Sequence, residues 1–180
     1  MADRRKKWLR IVLWALVAAW MGLIFCFSAE NGEESSWTSG QVVRWLLVHF
    51  DKTFMTLSPE AQAARMGEWS FLVRKLAHFT VFAILGALSF AAFSVDLSPR
   101  RAFLAALILG VARAVLDEVH QSFVPGRSCE LRDVCIDSAG VLLGTAFLLF
   151  ILTLIQQKSL SGKSSLPFLS FSFSVPFSLH

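Results

Sequence analysis

The stretch LDEVHQSFVPGRSCELRDVCID, residues 116–137, decides how this chain folds. Its first residues end an apolar helical run that begins at Ala102, and its last residues open another that continues to Ile155. Between them stands Pro125-Gly126, a dipeptide that favours a tight turn. The stretch therefore reads as a helix end, a hairpin turn and a helix start. Asp117, Glu118, His120, Gln121, Arg127, Asp133 and Asp137 then gather at one end of two adjacent helices.

Working outward, the flanking sequence is oily. Of 180 residues, 55% are hydrophobic and only 17% charged, and the mean hydropathy is +0.59, well outside the balance of a water-soluble domain. Apolar runs of about 20 residues match the thickness of a bilayer core. Four such runs are expected, at residues 8–27, 71–93, 102–123 and 131–155. The first follows a basic leader and is read as a retained anchor, not a cleaved signal, because the run is long and Phe27 is too bulky for a cleavage site. The expected fold is all-α: a polytopic membrane protein with a bundle of about four transmembrane helices plus an interfacial amphipathic helix. The amphipathic helix is carried by Val42, Val43, Trp45, Leu46, Phe50 and Phe54 in the outer segment 28–70, and Ser58-Pro59 signals a further helix start. Residues 1–156 form one membrane domain. Residues 157–180, rich in Ser and Phe and broken by Pro167 and Pro176, read as a flexible tail.

The net charge of +4 does not indicate nucleic acid. The basic residues sit at the ends of apolar runs, where they set topology, and no groove-reading motif is present. Arg4, Arg5, Lys6, Lys7, Arg10, Arg100, Arg101, Lys158 and Lys163 fall on one side of a four-span bundle, which places both termini in the cytoplasm. Cys26, Cys129 and Cys135 have no zinc spacing; pairing of Cys129 with Cys135 is the lesser reading.

On this topology Arg74, Lys75 and His78 enter the second span from the outer face, into the same layer as the hairpin cluster. Arg74 with His78, Asp117 with Gln121, and Asp133 with Asp137 are each four residues apart and share a helix face. The stripe of the last span continues through Gly140 and Gly144, and the third span carries Ala102, Ala106, Gly110 and Ala114, so both faces suit close helix contact. Structural roles compete with functional ones. Lys75 and Arg132 can be interfacial anchors, Asp117 and Asp137 can pair with Arg74 and Arg127, and Arg113 is expected to pair with Asp117 outside the site. Ionisable groups inside a membrane nevertheless tend to mark function. His78 or His120, oriented by Asp117 or Asp137, is suited to general-base chemistry, and Arg74 with Arg127 to gripping a phosphate or carboxylate. No cofactor is assigned. A divalent metal on His78, His120, Asp117 and Glu118 is the weaker alternative, since no HExxH spacing is present.

RKLAHFTVFAILG, followed by LDEVHQSFVPGRSCELRDVCIDSAGVLLG, resembles the VanZ-like family of bacterial membrane proteins. FSAENGEESSWTSG resembles that family's serine-rich segment after the first helix, with Glu30 where glutamine is usual. The family pattern maps onto Arg74, Lys75, His78, Asp117, Glu118, His120, Gln121, Pro125, Gly126, Arg127, Asp133 and Asp137. The candidate catalytic residues are thus His78, Asp117, Glu118, His120 and Asp137. The candidate substrate-binding residues are Arg74, Lys75, Gln121, Arg127 and Asp133. The resemblance implies a protein of the bacterial plasma membrane, from a family whose founding member is associated with low-level teicoplanin resistance. The implied partner is a membrane lipid or a lipid-linked envelope intermediate, met at the outer face. The same pocket can serve an enzyme or a non-catalytic lipid- or lipoglycopeptide-binding module.

Overall fold

The computed structural model describes residues 2–127 and 129–161, and every regular element among them is helical. Helix α1 runs Ala2–Ser28, α2 Gly32–Phe50, α3 Pro59–Ser94, α4 Pro99–Gln121 and α5 Leu131–Ser161; one 3-10 turn, Phe54–Thr56, links α2 to α3. Much of the Ser/Phe-rich tail lies outside the described residues; α5 carries the chain on to Ser161.

Local chemistry sets the starts. The Asn31 side chain accepts from the Glu34 amide at 2.8 Å, and the Glu34 carboxylate accepts from the Asn31 amide at 3.2 Å, a reciprocal cap that satisfies two otherwise orphaned donors. This cap starts α2 at Gly32, well before the amphipathic pattern around Val42. Ser58 caps α3 by accepting from the Ala61 amide at 3.3 Å, with Pro59 next, where its missing N–H is harmless. No break separates this start from the second apolar run. The 36 residues of α3 form one helix, about 54 Å long at 1.5 Å per residue.

Three helices, Asp3–Ser28, Pro59–Ser94 and Leu131–Lys158, are long and apolar enough to cross a membrane. The fourth expected span, α4, is long enough but more charged. The reason is visible in its faces. Arg113, Asp117, Glu118 and Gln121 point inward and are buried, whereas Leu104, Ile108, Val115, Leu116 and Val119 form the outer surface. A helix with charge inside and hydrocarbon outside is inverted relative to a soluble one, and suits lipid.

Contacts fix the directions. Arg10 Nη2 reaches Asp96 at 2.5 Å, Trp14 packs edge-on against Phe93 with ring centres 5.0 Å apart, and Trp20 Nε1 donates to the Val81 carbonyl at 2.9 Å. So α1 runs antiparallel to α3. Helices α3 and α5 run parallel and touch backbone to backbone: a Cβ on Gly140 would lie 2.3 Å from the Phe79 carbonyl, and one on Gly144 1.8 Å from that of Ala83. Glycine is required at both, as the small-residue stripe predicted. The row on α4 behaves likewise, with Ala102, Ala106 and Ala114 fully buried and Gly110 pressed on Val141. Val17, Ile24, Phe82, Leu85, Ala114 and Val141 knit these four helices into one core. Helix α2 and the 3-10 turn lie outside it and hold the first part of α3: Val43 and Leu47 of α2, with Phe54, which the turn after Asp51 carries and not the amphipathic helix expected to hold it, pack with Leu57, Met66 and Val73. Its Trp37, Trp45 and Phe50 remain on the surface, as an interfacial helix requires.

Candidate functional site

The polar groups converge where α1 ends, α4 ends and α5 begins. The link between α4 and α5 is a tight loop in which Gly126 adopts φ +75°, a conformation nearly reserved for glycine. The Pro125 carbonyl accepts from the Gly32 amide at 3.1 Å, so the hairpin is clamped to the start of α2. Arg127 adds a second clamp: its Nε donates to the Glu30 carbonyl at 3.0 Å and its Nη2 to that of Phe27 at 3.4 Å. The serine-rich segment is thereby folded over the site.

Asp117 anchors the interior. Its Oδ1 accepts from Arg113 Nη1 at 2.7 Å, as expected for an i,i+4 pair. Its Oδ2 accepts from Ser28 Oγ at 2.9 Å and from Gln121 Nε2 at 3.0 Å, and Gln121 also donates to Ser28 at 3.0 Å. Asp117 is wholly buried and well satisfied. The expected partnership with Arg74 or Arg127 is absent among the described residues; Arg113 takes that place because it lies one turn away on the same helix.

Asp137, one turn into α5, is equally buried but, unlike Asp117, has no hydrogen-bond donor on either oxygen among the described residues. His78 Nδ1 faces it at 3.6 Å, an ion-pair distance too long for a hydrogen bond. The His78 side chain is 25% exposed against 1% for Asp137, so the imidazole stands at the rim and the acid behind it. One ligating atom each from His78, Asp117 and Asp137 falls within 4.8 Å of the others. Glu118 is spoken for on one side only. Its Oε2 accepts from the Glu130 amide at 2.9 Å, bracing the start of α5, while buried Oε1 has no partner.

His120 is not in this trio. Its ring lies against Phe25, with centres 4.6 Å apart, and its buried Nε2 has no partner. Lys75 donates to both oxygens of Asp133, each side chain 16% exposed, and so serves as a helix-to-helix tie rather than a free interfacial anchor. Arg132 is the more exposed of the two, paired with Glu130 at 2.7 Å and stacked on Phe71. The three cysteines are free.

Arg74 and Arg127 complete the picture. Arg74 Nη2 reaches only the Ser36 hydroxyl, at 3.3 Å, and its buried Nε has no partner. Among the described residues neither guanidinium lies within ion-pair reach of a carboxylate. Burial first, and repulsion from Arg74 next, push the Arg127 guanidinium below its ordinary range. Both guanidiniums hydrogen-bond only to neutral oxygens, and Glu30, Asp117 and Glu118 offset part of the repulsion that Arg127 feels from Arg74; guanidinium groups in this state have donors suited to an anion. Ser28, Glu30 and Ser36 are the members that residue-type reasoning passed over. Their segment carried a signal in its serine spacing, but no residue there is chemically distinctive alone.

The family model described as VanZ/LLP1 matches residues 13–154, which takes in α2, α3 and α4, most of α1 and α5, and every candidate residue. No curated protein and no solved structure gives a significant match.

Proposed function

Because the chain belongs to the VanZ/LLP1 family, and is a helical membrane protein by its spans, we propose that its polar cluster receives the anionic, phosphate-bearing head of an amphiphilic envelope lipid. The carrying observation is the Arg74–Arg127 pair: Arg74 reaches only the Ser36 hydroxyl and Arg127 only backbone carbonyls, and they repel each other, with Glu30, Asp117 and Glu118 acting on Arg127 from beyond ion-pair distance. A guanidinium fork recognises phosphate oxygens in pairs, and two forks on different elements fix the group in space. The lipid tail would lie along the apolar outer surface of α3 and α4, where Leu76, Leu116 and Val119 are exposed. With the basic first segment and the α3–α4 turn on the cytoplasmic side, the site opens to the outer leaflet of a bacterial plasma membrane, and both termini lie in the cytoplasm.

The half-open His78 in front of unpartnered Asp137 suits proton movement at the bound head group, with the carboxylate stabilising the imidazolium as it forms. Occupying or altering lipid-linked cell-wall intermediates in this leaflet would change access for a lipoglycopeptide such as teicoplanin. The test is lipid mass spectrometry and teicoplanin susceptibility in bacteria carrying the wild-type chain, Asp137→Asn, or Arg74→Gln with Arg127→Gln. Wild type is expected to shift the phospholipid or lipid-linked precursor profile and lower susceptibility. The double arginine variant loses both effects together with lipid binding to the purified protein. If Asp137→Asn keeps lipid binding but loses both cellular effects, the site turns lipid over; if binding and effects vanish together, the site is a binding module. A wild-type profile and susceptibility matching those of cells without the protein would remove the proposal.

A further inference from the structure

The structure assigns His78, Asp117 and Asp137 as a binding site for one divalent transition-metal ion of the zinc or manganese kind. The ion belongs to the anion site and deepens the reading above, on which its role beside a phosphate rests; with the ion bound, His78 and Asp137 are ligands and do not form the imidazolium–carboxylate pair described for the ion-free site. Three independent features carry it. First, ligating atoms from α3, α4 and α5 come within 4.8 Å of one another. Ligands on one ion at about 2.1 Å stand about 3.4 Å apart, so closure requires inward movement of about an ångström, within reach of small side-chain rotations.

Second, Asp137 is fully buried and, among the described residues, neither carboxylate oxygen has a donor. A bare carboxylate inside a helical membrane bundle is strongly unfavourable unless a cation or a proton meets it. The strong cations nearby are committed elsewhere: Arg113 to Asp117, and Lys75 to Asp133. Third, Asp117 is held as metal-binding carboxylates are held. Arg113, Ser28 and Gln121 fix its orientation through three hydrogen bonds, and Oδ1 accepts only one of them, leaving a lone pair free. One imidazole nitrogen with two carboxylates favours zinc or manganese over calcium or magnesium, which prefer all-oxygen sets. Three protein ligands leave a coordination position for an exchangeable oxygen, water or phosphate, facing the rim where His78 is exposed. The set differs from the one expected from sequence: Asp137 stands where His120 and Glu118 were weighed, since His120 is stacked on Phe25 and Glu118 braces Glu130.

The test uses the full chain in detergent, stripped with a chelator and reloaded with Zn2+ or Mn2+ alone. Bound metal is measured by mass spectrometry after desalting, and thermal unfolding by circular dichroism. Wild type is expected to retain about one equivalent of one of these ions and to unfold at higher temperature when loaded. His78→Asn and Asp137→Asn are each expected to weaken binding at least tenfold, within the range for loss of a ligand or its support. Asp96→Asn, an acid at the opposite end of the bundle, serves as the unaffected control. If Asp137→Asn fails to give a helical, monodisperse protein, His78→Asn decides alone. Binding of both ions by wild type no better than by His78→Asn overturns the assignment. Metal bound without lipid binding would remove the lipid reading and keep the ion; lipid bound without metal would do the reverse.

Discussion

Replacing Asp117 by leucine should destabilise the bundle more than replacing its partner Arg113 by methionine. The two groups meet at 2.7 Å and are nearly or wholly buried. Unit charges about 4 Å apart at an effective dielectric near 20 attract by about 4 kcal/mol. Breaking a buried pair by removing one partner costs about 3–5 kcal/mol, because the survivor keeps an unbalanced charge. Arg113→Met leaves Asp117 with hydrogen bonds from Ser28 and Gln121, so it belongs at the lower end of that range. Asp117→Leu strands the guanidinium and removes the acceptor of the Ser28 hydroxyl and of one Gln121 N–H, at about 1 kcal/mol or more each, while Gln121 keeps its bond to Ser28, so it belongs at the upper end. The double variant removes both charges and should unfold at higher denaturant than Asp117→Leu alone, since apolar replacement of a buried pair is often close to neutral. The assay is denaturant unfolding of the chain in bicelles followed by far-ultraviolet circular dichroism, read as a double-mutant cycle. Asp117→Leu within about 1 kcal/mol of wild type, or a double variant no better than that single, would refute the reasoning.

Gly144→Ala should lower stability by about 3 kcal/mol, since its Cβ meets the Ala83 backbone, whereas Gly67→Ala, with open space around it, should raise stability by up to about 1 kcal/mol; thermal melts of the pair check this. Gly126→Ala should cost about 1–2 kcal/mol through its positive φ and loosen the contact with Gly32. Hydrogen exchange should then quicken at the amide of Gly32. Hydrogen bonding to Arg10 holds the Asp96 carboxyl below its ordinary range. A depressed folded value means that this stabilisation is present above the unfolded value of 3.8 and is lost as pH falls through the lower folded one. Asp96→Asn should therefore flatten the acid limb of the stability profile, as measured by melting temperature against pH.

The α4–α5 hairpin was legible because three local rules agreed there: apolar period, turn dipeptide and small-residue stripe. The Arg113–Asp117 pair followed from spacing alone. What stayed hidden depended on which chain segments meet. Ser28 looks like an ordinary helix end until Asp117 arrives from α4. The extent of α2 was underestimated because its buried face begins with Ser35 and Ser39, which carry no hydrophobic signal. The helix start at Ser58-Pro59 and the span from Phe71 belong to one unbroken α3; the polar residues between them mark a change of composition, and nothing there stops a helix. Four spans were expected, and composition alone supports three; α4 conceals its charges on the faces its neighbours cover.

That concealment bears on how the protein is made. An insertion channel releases segments into lipid according to their own hydrophobicity, and an arginine or aspartate near the middle opposes release by about 3 kcal/mol. Helix α4, with Arg113, Asp117 and Glu118, offers the lipid exposed charge until α3 and α5 enclose it. Its integration is therefore expected to wait for α5 to emerge from the ribosome, so that the hairpin enters as a unit. In a nascent chain truncated before Leu131, a cysteine introduced on α4 should stay reactive to a water-soluble thiol reagent, and restoring α5 should protect it.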